Sequence, residues 1–172
     1  MTEAKFHISF TNDFAEDESC EGAILLNGLP DTFISSLSFF SKQSYENQWA
    51  KAIRMASCDR EITALFSNVD LDVDGTGWLW FYTLIPSEDV ISEGHQEKGI
   101  FITHSFKPVC TDPKSFLTRR FIEFEDGSLG EELSFYFLDL KYPERFFGYL
   151  DPQICEISHW FVSDKDIKGT AG

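Results

Sequence analysis

The stretch Asp70-Leu-Asp72-Val-Asp74-Gly75-Thr76 sets carboxylates at alternate positions and follows them with a turn glycine, as the opening of an EF-hand calcium loop does. The rest of that pattern is missing. Gly77 stands where the loop needs an apolar residue, Phe81 stands where it needs a bidentate Glu, and the flanks read as strands. The segment therefore reads as an acidic hairpin loop, with a calcium-binding module as a lesser alternative. Carboxylates also cluster at Glu16-Asp17-Glu18, at Glu88-Asp89, at Glu123 with Glu125 and Asp126, and at Glu131-Glu132. Two such groups held several ångströms apart across a cleft can perform acid–base glycosidic chemistry, so a small acidic hydrolase or glycosidase-like enzyme is a second alternative. With 29 Asp and Glu in 172 residues, however, near neighbours arise by chance and mostly form a solvated face. Glu123 and Glu125 stand out, because alternate residues of a strand share a face and place like charges close together. Arg119 and Arg120 can answer that repulsion from within the chain, or a basic partner can answer it from outside.

Other chemistry finds little support. His7, His95, His104 and His159 include no pair at the four-residue spacing of a helical metal site. Cys20, Cys58, Cys110 and Cys155 are scattered without a Cys-x-x-Cys, which predicts ordinary reduced thiols. There is no Gly-x-Ser-x-Gly elbow, no phosphate loop and no dinucleotide fingerprint, so no catalytic residue, metal or cofactor is expected. The aromatic runs Trp78-Leu-Trp-Phe-Tyr82 and Phe135-Tyr-Phe137 resemble base-stacking platforms, but such platforms sit in basic grooves. Here they read as core and sheet-face packing.

Charge narrows the partners. The chain carries a net charge of −15, which repels polyphosphate and anionic lipid headgroups and attracts basic proteins. Nucleic-acid and membrane binding are therefore disfavoured. The acidic first twenty residues lack a basic segment followed by an apolar one, and no apolar run approaches the ~20 residues of a bilayer span, which predicts a cytoplasmic protein.

These side chains must be positioned by a mostly β framework. The chain is 16% aromatic and 42% hydrophobic, enough to fold despite its charge, and no Pro-, Gly- or Ser-rich linker divides it. One domain over residues 1–172 is expected. Tyr45, Trp49, Ala52, Ile53 and Ala56 recur at three- and four-residue steps, predicting one principal helix over about 43–57 with Ser41 or Ser44 as N-cap. Alternation and β-branched or aromatic content predict strands over 5–10, 23–26, 32–40, 61–69, 78–85, 99–106, 119–125, 133–140 and 154–162. Turn residues lie at Asn27-Gly28, Asp74-Gly75 and Asp126-Gly127, the last two as hairpin turns. The class that follows is α+β: a mainly antiparallel curved sheet of about six to eight strands with the helix packed on it.

Three segments together resemble a known family. Phe40 to Arg54, containing Tyr45-x-x-Gln48-Trp49 and followed by Ile62 to Phe66, then Trp78-Leu-Trp-Phe-Tyr82, then Ile157-Ser158-His159-Trp160 with Asp166-Ile167, are similar to immunity proteins of bacterial contact-dependent growth inhibition systems. His159 stands where that family has Glu. The resemblance implies a cytoplasmic, non-enzymatic antidote that binds the C-terminal toxin domain delivered by a neighbouring cell and blocks its active site. Many such toxins are nucleases with basic substrate surfaces, so the implied partner is a basic toxin domain held one-to-one. Acidic side chains on or beside the expected hairpins are the candidate toxin-binding residues: Asp70, Asp72, Asp74, Glu123, Glu125 and Asp126.

Overall fold

A computed structural model describes residues 6–11, 18–92, 95–112, 119–123, 125–146 and 159–168. Strands β1 (Phe6–Phe10), β2 (Ser19–Leu26) and β3 (Leu29–Ser36) form an antiparallel three-stranded sheet in that order. Asn27 and Gly28 both take positive φ, the backbone that a two-residue hairpin needs to match strand twist. Strand β3 stops at Ser36 instead of reaching residue 40, because Leu37 turns back to donate to the Glu18 carbonyl and the chain then prepares its helix.

Helix α1 (Lys42–Arg54) begins on Ser41, whose hydroxyl accepts from the Ser44 amide at 3.1 Å, and continues as a π-helical turn, Met55–Asp59. Together they span the expected 43–57. Strands β4 (Thr63–Leu71), β5 (Thr76–Ser92), β6 (His95–Cys110) and β10 (His159–Ser163) form the larger sheet, in the antiparallel order β10-β6-β5-β4. The short β9 (Tyr136–Phe137) adds in parallel to the end of β6, while β7 (Arg119–Glu123) and β8 (Leu129–Ser134) pair as a separate hairpin. Helix α2 (Asp164–Lys168) follows β10. The α+β class with one principal helix holds, and among the described residues the strands divide into sheets of three, five and two, antiparallel except where β9 joins β6. Of the strand expected over 154–162, residues 154–158 lie outside the described residues. The one expected over 133–140 divides at Phe135 into the end of β8 and β9.

The middle strands far exceed their expected lengths. Pro86-Ser-Glu-Asp looks like a stop, yet pairing between β5 and β6 resumes past an irregularity at Ser87/Val90.

The two larger sheets and α1 meet along the outer edge of β4. An edge strand leaves alternate amides and carbonyls without a ladder partner, and burial makes each of them costly. Side chains close this edge. Gln48 Nε2 donates to the Ala64 carbonyl at 2.6 Å, and its Oε1 accepts from the Phe66 amide at 2.9 Å, so one side-chain amide imitates a neighbouring strand. Trp49 Nε1 donates to the Phe66 carbonyl at 2.6 Å. Tyr45 Oη accepts from the Val69 amide and donates to the Ser36 carbonyl, tying α1, β3 and β4 at one atom. Ser35 Oγ donates to the Ser67 carbonyl, and Asn68 Oδ1 accepts from the Ser36 amide. Around this seam Phe33, Tyr45, Trp49 and Phe66 of the core, with the partly buried Phe10 and Phe40 packed against them, form edge-on and stacked ring contacts.

Arg60 ties the helix exit to the far end of the larger sheet. Its backbone is left-handed (φ 57), and its guanidinium donates to Glu88, Asp164 and the carbonyls of Ser87 and Gly99. Burial opposes its charge, but the two carboxylates outweigh that and raise its pKa. The hydrogen bond from Arg60, reinforced by Lys98, in turn lowers the pKa of Glu88.

Gln48→Ala leaves the Ala64 carbonyl and the Phe66 amide buried and unpaired. At about 1–3 kcal/mol for each of the two stranded groups, urea denaturation should show a loss of about 2–6 kcal/mol. Gln43→Ala, which removes only an exposed bond to Asn47, should cost under about 0.5 kcal/mol. A second expectation concerns pH. Because the folded-state pKa of Glu88 lies below that of an unfolded Glu, its contribution is complete above the ordinary value of about 4.3 and is lost as pH falls through the folded value. In thermal scans, wild type should be more stable than Glu88→Gln at neutral pH, and the gap should close on acidification below about pH 4.

Candidate functional site

Alternation along β5 places Trp78, Trp80 and Tyr82 on one face, and antiparallel register sets Pro108, Phe106 and His104 of β6 beside them. The rings form one continuous column. Phe106 is stacked between Trp78 at 4.8 Å and Trp80 at 4.4 Å, His104 lies 5.7 Å from Trp80, and Tyr82 stacks on His104 at 4.2 Å. On the β4 side, Asp70 pairs with Trp78 and Asn68 with Trp80. None of these eight register positions carries a Lys or Arg.

The column passes from core to solvent. Tyr82 is fully buried and donates to Asp31 Oδ2 of β3 at 2.7 Å; burial, with that carboxylate, raises its pKa. His104 lies at the boundary, with Nε2 buried and unpartnered; burial lowers its pKa, and the nearby Asp31 only partly offsets this. Beyond it Trp80 and Phe106 are 40% and 44% exposed. The opposite face of the same strands is closed, with Val69, Leu79 and Val109 fully buried. Of the core and sheet-face packing expected for Trp78 to Tyr82, Leu79, Phe81 and Tyr82 take core positions, while Trp80 and the half-buried Trp78 stack on a sheet face that is open. The available signal was a strand apolar on both faces, which needs two covers.

The acidic candidates fall on two separate hairpins. Asp70, Asp72 and Asp74 are exposed around the β4–β5 turn, with the fully exposed Val73 among them. Asp74 is engaged: its Oδ1 accepts from the Thr76 amide at 3.0 Å and from the Thr76 hydroxyl at 2.6 Å, which fixes the turn. Gly77, at the position an EF-hand fills with an apolar residue, must be glycine here, because a side chain would strike the Asp70–Leu71 backbone. Glu125 and Asp126 are exposed in the β7–β8 turn. The Ser128 hydroxyl and amide both donate to Asp126 Oδ1, lowering its pKa. Glu123 ends β7 and Glu125 lies in the turn, so the two do not share a strand face; the side chain of Glu123 lies outside the described residues. The hairpins belong to different sheets, and only Asp70 borders the aromatic column in register.

A groove of about 590 Å³ runs between α1 and the segment after β9, and Lys51, Arg54 and Arg145 line it opposite Asp59 and Glu61. Lys51 also pairs with the buried Glu144. Among the described residues no three His, Cys, Asp or Glu side chains converge as a metal-ligand set, and no helix is long and apolar enough to cross a membrane. Cys20 and Cys110 are buried thiols, Cys58 is an exposed one, and Cys155 lies outside the described residues.

No protein-family model and no curated protein matches the chain. Its fold is similar to that of a chain in the CdiA-CT/CdiI toxin and immunity complex from Enterobacter cloacae. The TM-score is 0.55 over 96% of this chain and 95% of that chain, at 12% sequence identity.

The turn geometry separates a structural carboxylate from an uncommitted one. Asp74→Ala removes both acceptor bonds to Thr76 and should cost about 0.5–1.5 kcal/mol in chemical denaturation. Asp72→Ala should stay within about 0.5 kcal/mol of wild type.

Proposed function

We propose that this chain is an immunity protein of a contact-dependent growth inhibition system, which binds the C-terminal toxin domain delivered by a neighbouring cell and neutralises it without catalysing any reaction. The observation that carries this is the near-complete, two-way match of its fold to a chain from a toxin and immunity complex. The resemblance seen in Tyr45-x-x-Gln48-Trp49 and the Trp-rich strand supports the same conclusion from sequence. Its electrostatics suit the role. A net charge of −15 attracts a basic surface, as on a nuclease, and complementary charge speeds encounter and rejects wrong partners. The chain then occupies the surface that the toxin needs for its own substrate, in a one-to-one complex in the cytoplasm.

Asp70 and Asp72 are the carboxylates best placed to steer, being exposed and uncommitted to the turn that Asp74 holds. Glu125 and Asp126 on the β7–β8 turn supply a second acidic tip, with Glu123 at its base.

The purified toxin domain encoded immediately upstream should form a one-to-one complex with this chain, and co-expression should rescue cells from it. Association should slow as salt is raised past about 0.1 M, where the screening length is ~10 Å. Asp70→Lys with Asp72→Lys should lower the association rate about tenfold at low salt and leave dissociation nearly unchanged. No complex and no rescue would overturn the proposal; unchanged association in the double variant would move the steering surface elsewhere.

A further inference from the structure

We infer that the open end of the aromatic column, Trp78, Trp80 and Phe106, is the anchor of the toxin interface, and that it takes a basic protein segment whose apolar or aromatic side chain covers the ring edges while its flanking Lys or Arg meets Asp70 and Asp72. This rests on the immunity reading and adds what that reading lacks, the place where the complex is held. Soluble chains bury large aromatics, and tryptophan exposed on a flat sheet face forfeits the free energy that burial would give. Here Trp80 and Phe106 are 40% and 44% exposed side by side, stacked at 4.4 Å, on strands whose opposite face carries the fully buried Val69, Leu79 and Val109. Such rings are also pre-organised. Stacking across the strand pair fixes Phe106 between the two tryptophans, so little rotamer freedom remains to be lost on binding. Tryptophan and tyrosine are the residues around which binding energy concentrates, in patches rimmed by polar groups.

The chemistry of the occupant follows from the rim. In register with Trp78 stands Asp70, the turn beyond adds Asp72, and no cation occupies the neighbouring positions of this face. Because Phe106 is stacked between the two tryptophans and each tryptophan has at least one face engaged in that stack, the column presents ring edges, whose hydrogens carry the positive end of the ring quadrupole. Those edges favour the face of a partner aromatic, or an aliphatic side chain, over a phosphate. A single-stranded nucleic acid would need cations along its backbone, and these positions offer carboxylates instead. A second copy of this chain would set like-charged rims against each other.

Trp80→Ala and Phe106→Ala should each speed dissociation of the toxin domain about tenfold or more in surface plasmon resonance, with association and its salt dependence within about twofold of wild type. Leu29→Ala, at a residue 71% exposed at the start of β3, should change neither rate. In wild type, complex formation should reduce acrylamide quenching of tryptophan fluorescence, an observation that needs no variant to fold. If the wild-type complex forms and these variants dissociate at the wild-type rate, or quenching is unchanged, the anchor lies elsewhere and the immunity proposal stands. If no complex forms, both fall. Two further results would overturn the inference by assigning the face to another occupant: a thymidine oligonucleotide that binds wild type but not Trp80→Ala, or a concentration-dependent dimer that Trp80→Ala abolishes.

Discussion

A single side-chain amide decides how this chain can fold. Gln48 offers a donor and an acceptor at the spacing of a strand backbone, and with them it closes the free edge of β4. Trp49 and Tyr45 extend the closure along the same edge toward Val69, while Ser35 and Asn68 pair that strand with the smaller sheet at its bulge. The alternative is an aggregation-prone row of unpaired backbone groups beside a greasy strand. Because the closing groups belong to one helix face, the three- and four-residue periodicity of that helix serves two functions. It buries Tyr45, Trp49 and Ala52, and it places polar atoms in the plane of the sheet.

Everything beyond the seam inherits its asymmetry. With β4 sealed by the helix and β3, the sheet grows only from its other side, through the long β5–β6 ribbon to the short β10. The partners do not match the ribbon in length. Strand β10 covers residues 99–103 of β6, and the smaller sheet reaches Tyr82 through Asp31, but nothing among the described residues covers Trp80 and Phe106 to the same extent. The open aromatic face is therefore a consequence of strand lengths. Its position next to the β4–β5 turn brings the most exposed rings into register with an acidic side chain.

Much of this was legible in the sequence, and the failures share a cause. Helix α1 announced itself through periodicity and Ser41, and the Asn27-Gly28 turn through its residue types, because those signals are local. Even the tying of Asp74 and Asp126 could be read, since each precedes a hydroxyl residue by two positions, the pattern of a side chain that caps its own turn. What could not be read depends on a partner distant in the chain. Gln48 looks like one more polar helix residue until Ala64 and Phe66 are brought to it. Pro86 looks like a stop until β6 carries the pairing past it. Trp78 to Tyr82 shows by alternation which residues share a face, but which face finds a cover is decided by the lengths of other strands.

The same distinction governs the proposed interface. Steering is a long-range property of summed charge, so it tolerates variation in where each carboxylate sits, and a net charge of −15 expresses it without any fixed geometry. Anchoring is short-range and needs rings held at van der Waals distance by a rigid framework, which the paired β5 and β6 provide. An acidic loop on a mobile chain would steer but not hold, and an aromatic patch on a neutral surface would hold indiscriminately. Placing Asp70 beside Trp78 couples the two on one rigid hairpin, so that the segment drawn in by charge arrives where the rings can retain it.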